Sequence, residues 1–119
     1  MPAPALAARA CTPCHGATPP LDPDRVRGLL PHVPGWELAA DGTSIARRWR
    51  TTDFAAALEF MRRVGEVAEA ENHHPDLHLT NYRDLKVVLT TFAAGGLTEN
   101  DFILAAKIDG LEQPGLKTT

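Results

Sequence analysis

The chain has 119 residues, 44% of them hydrophobic, and a formal charge of −3. That is enough for one domain with its own core. That charge gives no reason to expect nucleic acid binding, because phosphate contacts need clustered Lys and Arg, and no apolar run is long enough for a membrane span. The start, Met1-Pro-Ala-Pro-Ala-Leu-Ala-Ala-Arg9, lacks the basic end and apolar core of a secretory signal, so a cytoplasmic protein is expected.

Residues 1–21 are rich in Pro and Ala and read as a flexible, loosely attached N-terminal extension to a domain at 22–119. Inside the extension, Cys11-Thr-Pro-Cys14-His15 formally matches the C-x-x-C-H haem-attachment pattern. A structural turn, half of a zinc site and a redox pair remain open readings. No second C-x-x-C or H-x-x-x-H completes a zinc site, and no βαβ pattern frames a redox pair.

Asp22-Pro23 is a good helix start, with Asp as N-cap and Pro at the first helical position. Val26, Leu29 and Leu30 follow at helical spacing, and Pro31 and Pro34 close the segment. Gly35 introduces a strand over Trp36–Ala40, and Asp41-Gly42 is a two-residue hairpin signal. The return strand, Ser44–Thr51, alternates Ile45, Arg47 and Trp49 with Ala46, Arg48 and Arg50. Its aromatic residues are expected to face inward and its basic cluster an exposed edge or face.

Thr51 or Thr52 is expected to cap a long helix with an apolar face of Phe54, Ala57, Leu58, Met61, Val64 and Ala68. Pro75 disfavours helical geometry at His74, so the helix ends near His73-His74. Leu77 and Leu79 alternate with His78 and Thr80, Asn81–Asp84 is turn-rich, and Leu85–Phe92 is a second β-forming run. After Gly95-Gly96, Thr98-Glu-Asn-Asp101 makes a capping-box-like start, flanked by Leu97 and Phe102 at staple positions. That last helix runs to about Gly110. Hairpins separated by helices predict an α+β fold in the order α-β-β-α-β-β-α. Its architecture is a four-stranded antiparallel sheet with three helices packed on one face.

The one stretch that reads as chemistry is Glu69-Ala-Glu-Asn-His73-His74-Pro75-Asp76. Imidazole titrates nearest neutrality, so paired histidines suit proton transfer or metal binding; a solvated helix end is the bland alternative. Glu69 and His73 are four apart, close enough to pair if the helix persists that far. Such a carboxylate fixes the tautomer of an acid/base histidine.

These residues resemble the pterin-4a-carbinolamine dehydratase family. The resemblance rests on Glu69-x-x-x-His73-His74-Pro75, on Tyr82, and on the Gly-Gly-Leu-Thr-Glu-Asn-Asp101-Phe-Ile-Leu-Ala-Ala-Lys-Ile-Asp109 run. Gly35-Trp36, the Ile45…Trp49…Asp53-Phe54 join and Cys11-x-x-Cys14-x-Gly16-x-x-Pro19-Pro20-Leu21 also fit, the last as an N-terminal extension of bacterial members. The resemblance implies loss of water from a 4a-hydroxytetrahydropterin to give the quinonoid dihydropterin, which recycles the cofactor of aromatic amino acid hydroxylases. It implies no metal or organic cofactor. By position His73 would be the acid/base residue, supported by Glu69, and His74 would bind and orient the pterin. Pro75, Asp101 and Phe92 would line the site.

One position departs from the family pattern. A third His, or sometimes Trp, is expected ten residues after Tyr82, where this chain has Phe92. Phenylalanine carries no proton, and a lost general acid or base commonly costs about 10²–10⁴-fold in rate. His78 on the neighbouring strand is a candidate substitute, with an exposed, idle strand histidine as the alternative. Some relatives of this fold act as non-catalytic Rubisco assembly factors, and vertebrate members double as dimerisation cofactors for a homeodomain transcription factor. The resemblance therefore admits a protein client such as Rubisco or a hydroxylase. It also implies a homodimer or homotetramer.

Overall fold

The computed structural model describes residues 6–11, 19–111 and 116–118. Its regular elements are α1 (Pro23–Leu29), β1 (Glu37–Leu38), β2 (Ile45–Thr51), α2 (Phe54–Glu71), β3 (Asp76–Thr80), β4 (Asp84–Leu89), α3 (Glu99–Asp109) and β5 (Leu116–Thr118). Short 3-10 turns add Leu6–Ala8, Leu30–His32 and Phe92–Ala94. The architecture is the expected α+β one, an antiparallel sheet in the order β1-β2-β4-β3 with helices on one face. One strand was not anticipated. β5 pairs with β2, Trp49 opposite Thr118 and Thr51 opposite Leu116, along the part of that edge which the two-residue β1 leaves open.

The sheet sorts its residues by the period of two that strands impose. Ile45, Arg47, Trp49 and Thr51 are buried against the helices, as are Leu85, Val87 and Leu89 of the central neighbour β4. Trp49 anchors the core, its ring 5.0 Å from Phe60 and edge-on to Trp36 at 6.0 Å. Arg47 shares that buried face because Asp109, at the end of α3, meets its guanidinium at 2.5 Å. The same carboxylate accepts the Trp36 indole N–H at 2.9 Å.

The helix starts follow the expected capping chemistry, with one shift. Asp22 accepts the Arg25 N–H at 2.8 Å to open α1. α2 is capped by Asp53, which accepts from Ala56 N–H at 2.8 Å, rather than by Thr51 or Thr52. Thr51 is drawn instead to the carbonyls of Asp53 and Arg83. α2 is also rotated relative to expectation. Its buried stripe is Ala57, Phe60, Val64 and Ala68, while Phe54 and Leu58 stand about half exposed on its rim. Packing against Trp49 favours the larger Phe60 ring, and periodicity alone could not choose between neighbouring stripes.

Two loops also differ from the expected ones. Ala39 N–H bonds the Ser44 carbonyl at 2.9 Å, so the first hairpin turns through four residues. Asp41 stabilises that longer loop by accepting from the Thr43 N–H and hydroxyl. β4 ends at Leu89, short of Phe92, because Thr91 leaves the ladder to bridge Gly96.

α3 is buried almost all round, from Asn100 to Ala105 and again at Ile108. A helix apolar on every side needs cover on every side, and the N-terminal segment supplies part of it. Leu6 is only 3% exposed and belongs to the same core. Residues 6–11 are therefore docked, unlike the loosely attached arm expected there. Cys11 is a free thiol; Cys14 and His15 of the C-x-x-C-H motif lie outside the described residues.

Candidate active site

The site is set by how α2 stops. Asn72 adopts left-handed backbone, φ 53°, a conformation asparagine tolerates better than most side chains. Its N–H reaches the Glu69 carbonyl at 3.2 Å, and the His73 N–H reaches that of Ala68 at 3.1 Å. These two bonds are the Schellman closure that satisfies the last carbonyls of a helix. His73 is thereby turned off the helix and cannot stand above Glu69 as an i,i+4 neighbour.

Each histidine finds a different carboxylate. His73 Nε2 lies 2.6 Å from Oδ1 of Asp101, across 28 positions of sequence. Glu69 bonds Nε2 of His74, which corrects the expected Glu69–His73 pair. The two pairs differ in solvent. The side chains of His73 and Asp101 are 11% and 0% exposed, those of His74 and Glu69 56% and 76%.

Asp101 holds its place through the capping box at the start of α3. Its Oδ2 accepts the Thr98 N–H at 2.9 Å and the Thr91 hydroxyl at 2.8 Å. Because the Thr91 proton goes to Asp101, the 2.8 Å contact between the two threonine hydroxyls is donated by Thr98. Three donors around an acceptor-only carboxylate are what a group fully removed from water needs. Asp101 was expected to line the site; it is fully covered and reaches the site only through His73. The roles of Thr91 and Thr98 were not read from the sequence, although Thr98 was recognisable as a cap.

Behind this pair lies a second polar cluster. Glu71, the last residue of α2, accepts the Cys11 N–H at 2.7 Å and meets Lys107 of α3 at 3.4 Å. The Cys11 N–H, with help from Lys107, holds the Glu71 carboxyl below the usual glutamate range. Burial, reinforced by the charge of Glu71, pushes the Cys11 thiol up to about 12. Such a thiol is not a nucleophile at neutral pH.

The remaining candidates are placed as follows. Pro75 is half-buried between His74 and β3. His78 pairs in register with Lys86, which pairs with Arg48, on the sheet face away from the helices. It therefore stands apart from His73 and is no substitute for a third histidine. Phe92 is 96% exposed, one residue beyond the Thr91 that bonds Asp101. Among the described residues no group of three or more His, Cys, Asp or Glu could hold a metal ion, and no helix is long and apolar enough to cross a membrane.

This arrangement can move a proton. A carboxylate at Nε2 keeps the ring proton on that nitrogen and leaves Nδ1 of His73 as the acceptor.

Comparisons with known proteins give the family and the fold. The family model described as pterin 4 alpha carbinolamine dehydratase matches residues 19–111. A protein of Methylococcus capsulatus, provisionally named a pterin-4-alpha-carbinolamine dehydratase, is 47% identical over 89% of this chain and 92% of its own length. The mitochondrial pterin-4-alpha-carbinolamine dehydratase 2 of Arabidopsis thaliana is 44% identical over 90% of this chain and 59% of its own. A crystal structure from Brucella melitensis, titled transcriptional coactivator/pterin dehydratase, superposes with a TM-score of 0.72. It is 28% identical, and the match covers 76% of this chain and 96% of that one.

Proposed function

Because the chain belongs to the pterin-4a-carbinolamine dehydratase family, we propose that it dehydrates a 4a-hydroxytetrahydropterin to the quinonoid dihydropterin. The C4a–O bond breaks and the hydroxyl leaves with a proton as water. Loss of a ring N–H proton forms the C=N bond of the product. Both transfers suit an imidazole working near neutral pH. The observation that carries this reading is the 2.6 Å bond between His73 and the fully buried Asp101.

In this reading His73 is the acid/base residue and Asp101 its positioning residue. His74, oriented by Glu69, binds the pterin, with Pro75 and Phe92 at the rim. The protein works in the cytoplasm as a homodimer or homotetramer, alongside an aromatic amino acid hydroxylase. The outer edge of β3 and the exposed Phe54 and Leu58 of α2 are surfaces that suit self-association.

The full exposure of Phe92 supports a second reading: a weak or silent enzyme whose apolar rim contacts a protein client, such as Rubisco. A dehydratase assay separates the two. Wild type should show weak turnover, raised by Phe92→His and abolished by His73→Ala. Absence of both turnover and pterin binding in wild type and Phe92→His would leave only the client-binding role.

A further inference from the structure

We infer that the N-terminal segment Leu6–Cys11 is a clamp that positions the His73–Asp101 pair for the proposed reaction. The segment precedes the residues that the family model matches, 19–111, and nothing in that match assigns it a role. Its contacts converge on the residues beside the pair. Arg9 donates to Glu99 at 2.9 Å, and Arg25 of α1 holds the other oxygen of the same carboxylate at 2.6 Å. Cys11 Sγ reaches the Asn100 carbonyl at 3.6 Å. Glu99 and Asn100 are the two residues that precede Asp101 in the first turn of α3. On the other side, the Cys11 N–H bonds Glu71, two residues before His73.

The segment therefore touches both elements that must meet for the pair to form. α3 brings Asp101, the end of α2 brings His73, and Cys11 contacts the approach to each within a single residue. Leu6, buried in the core with Phe102 and Ile103, fixes the other end of the clamp. Lys107 closes the circuit by joining Glu71 back to α3 at 3.4 Å. Misplacing a catalytic group by about 1 Å can cost on the order of 10²-fold in rate without touching the substrate. A clamp of this kind acts on kcat rather than on binding.

The inference rests on the dehydratase reading for its kinetic test, but not for its structural one. Removal of residues 1–11, in protein shown by circular dichroism to be folded, should lower kcat about tenfold or more, with KM within about threefold. A synthetic peptide of residues 1–11 added in trans should restore the rate. Glu71→Ala should reproduce the loss, while Glu71→Gln, which keeps an oxygen for the Cys11 N–H, should retain most of the activity. The His73 ring resonances should move in the shortened chain and in Glu71→Ala, and stay in place in Glu71→Gln.

A folded, shortened chain with unchanged kcat would overturn the clamp, and so would a loss that merely tracks the unfolded fraction. If the shortened chain does not fold, the Glu71 pair decides by the same criteria. If the wild type has no turnover, the dehydratase reading fails by itself; the His73 resonances then decide, stationary signals overturning the clamp and displaced ones sustaining it.

Discussion

The end of α2 has an outer and an inner side, and both carry the same chemistry. Outside, Glu69 and His74 pair in water; inside, His73 meets Asp101 where Asp101 has no exposed surface. The outer pair is screened and must order two mobile side chains, so it contributes little. In the inner pair Asp101 is shut off from water, and each bond supports the next through Thr91 and Thr98. Consecutive histidines thus acquire different partners and different exposure from their surroundings, while residue type and spacing are nearly the same.

Asp101→Ala should break the comparison most severely. It strips the acceptor from the Thr91 hydroxyl, the Thr98 N–H and the His73 ring. The expected loss is about 3–5 kcal/mol, measured by urea unfolding. A loss under about 1 kcal/mol would place the inner pair on a level with an ordinary surface one. Next comes the imidazole itself. His73→Gln should reduce kcat by about 10²–10⁴-fold, whereas His74→Gln should act mainly on KM; equal kcat effects would erase the distinction between the two sides.

Acidification sharpens the comparison within one helix turn. The folded state lowers the pKa of Glu71 through the Cys11 N–H and that of Glu99 through Arg25 and Arg9. The stability these two groups supply is complete above the ordinary glutamate value of 4.5 and is lost as pH falls through their lower folded values. The protection factor of the Cys11 amide, taken against its intrinsic exchange rate at each pH, should therefore fall below about pH 4.5, and Glu71→Gln should remove the Glu71 share of that dependence. A protection factor that is flat with pH in wild type would show that the segment is held by apolar contacts alone. The smallest effect is expected from Glu69→Ala, with kcat/KM within about fivefold of wild type and no resolvable shift in Tm. A larger effect would make the outer pair an equal partner.

Much of this was legible in the residues themselves. Asp22-Pro23, the Thr98–Asp101 box and the alternation of Ile45 and Trp49 with Arg48 and Arg50 all form as read, because caps and strand periodicity depend on near neighbours. Asn72 was also legible in principle: an asparagine shortly before a proline is a helix-stop signal, and reading it would have removed the Glu69–His73 pairing. β5 was not. Leu116-Lys-Thr118 has no distinguishing pattern and becomes a strand only because β1 leaves part of β2 unpaired.

By itself, then, the sequence determined the kinds and order of the elements as far as α3, and the stretch where imidazoles gather. Only the tertiary structure decided which carboxylate pairs with which histidine, that Phe60 rather than Phe54 enters the core, and that residues 6–11 pack against α3 and Glu71. The physical reason is range. Caps and periodicities act over a few residues, whereas the His73–Asp101 bond spans 28 and the Cys11–Glu71 bond spans 60. Contacts at that distance exist only once a shared core has brought their helices together.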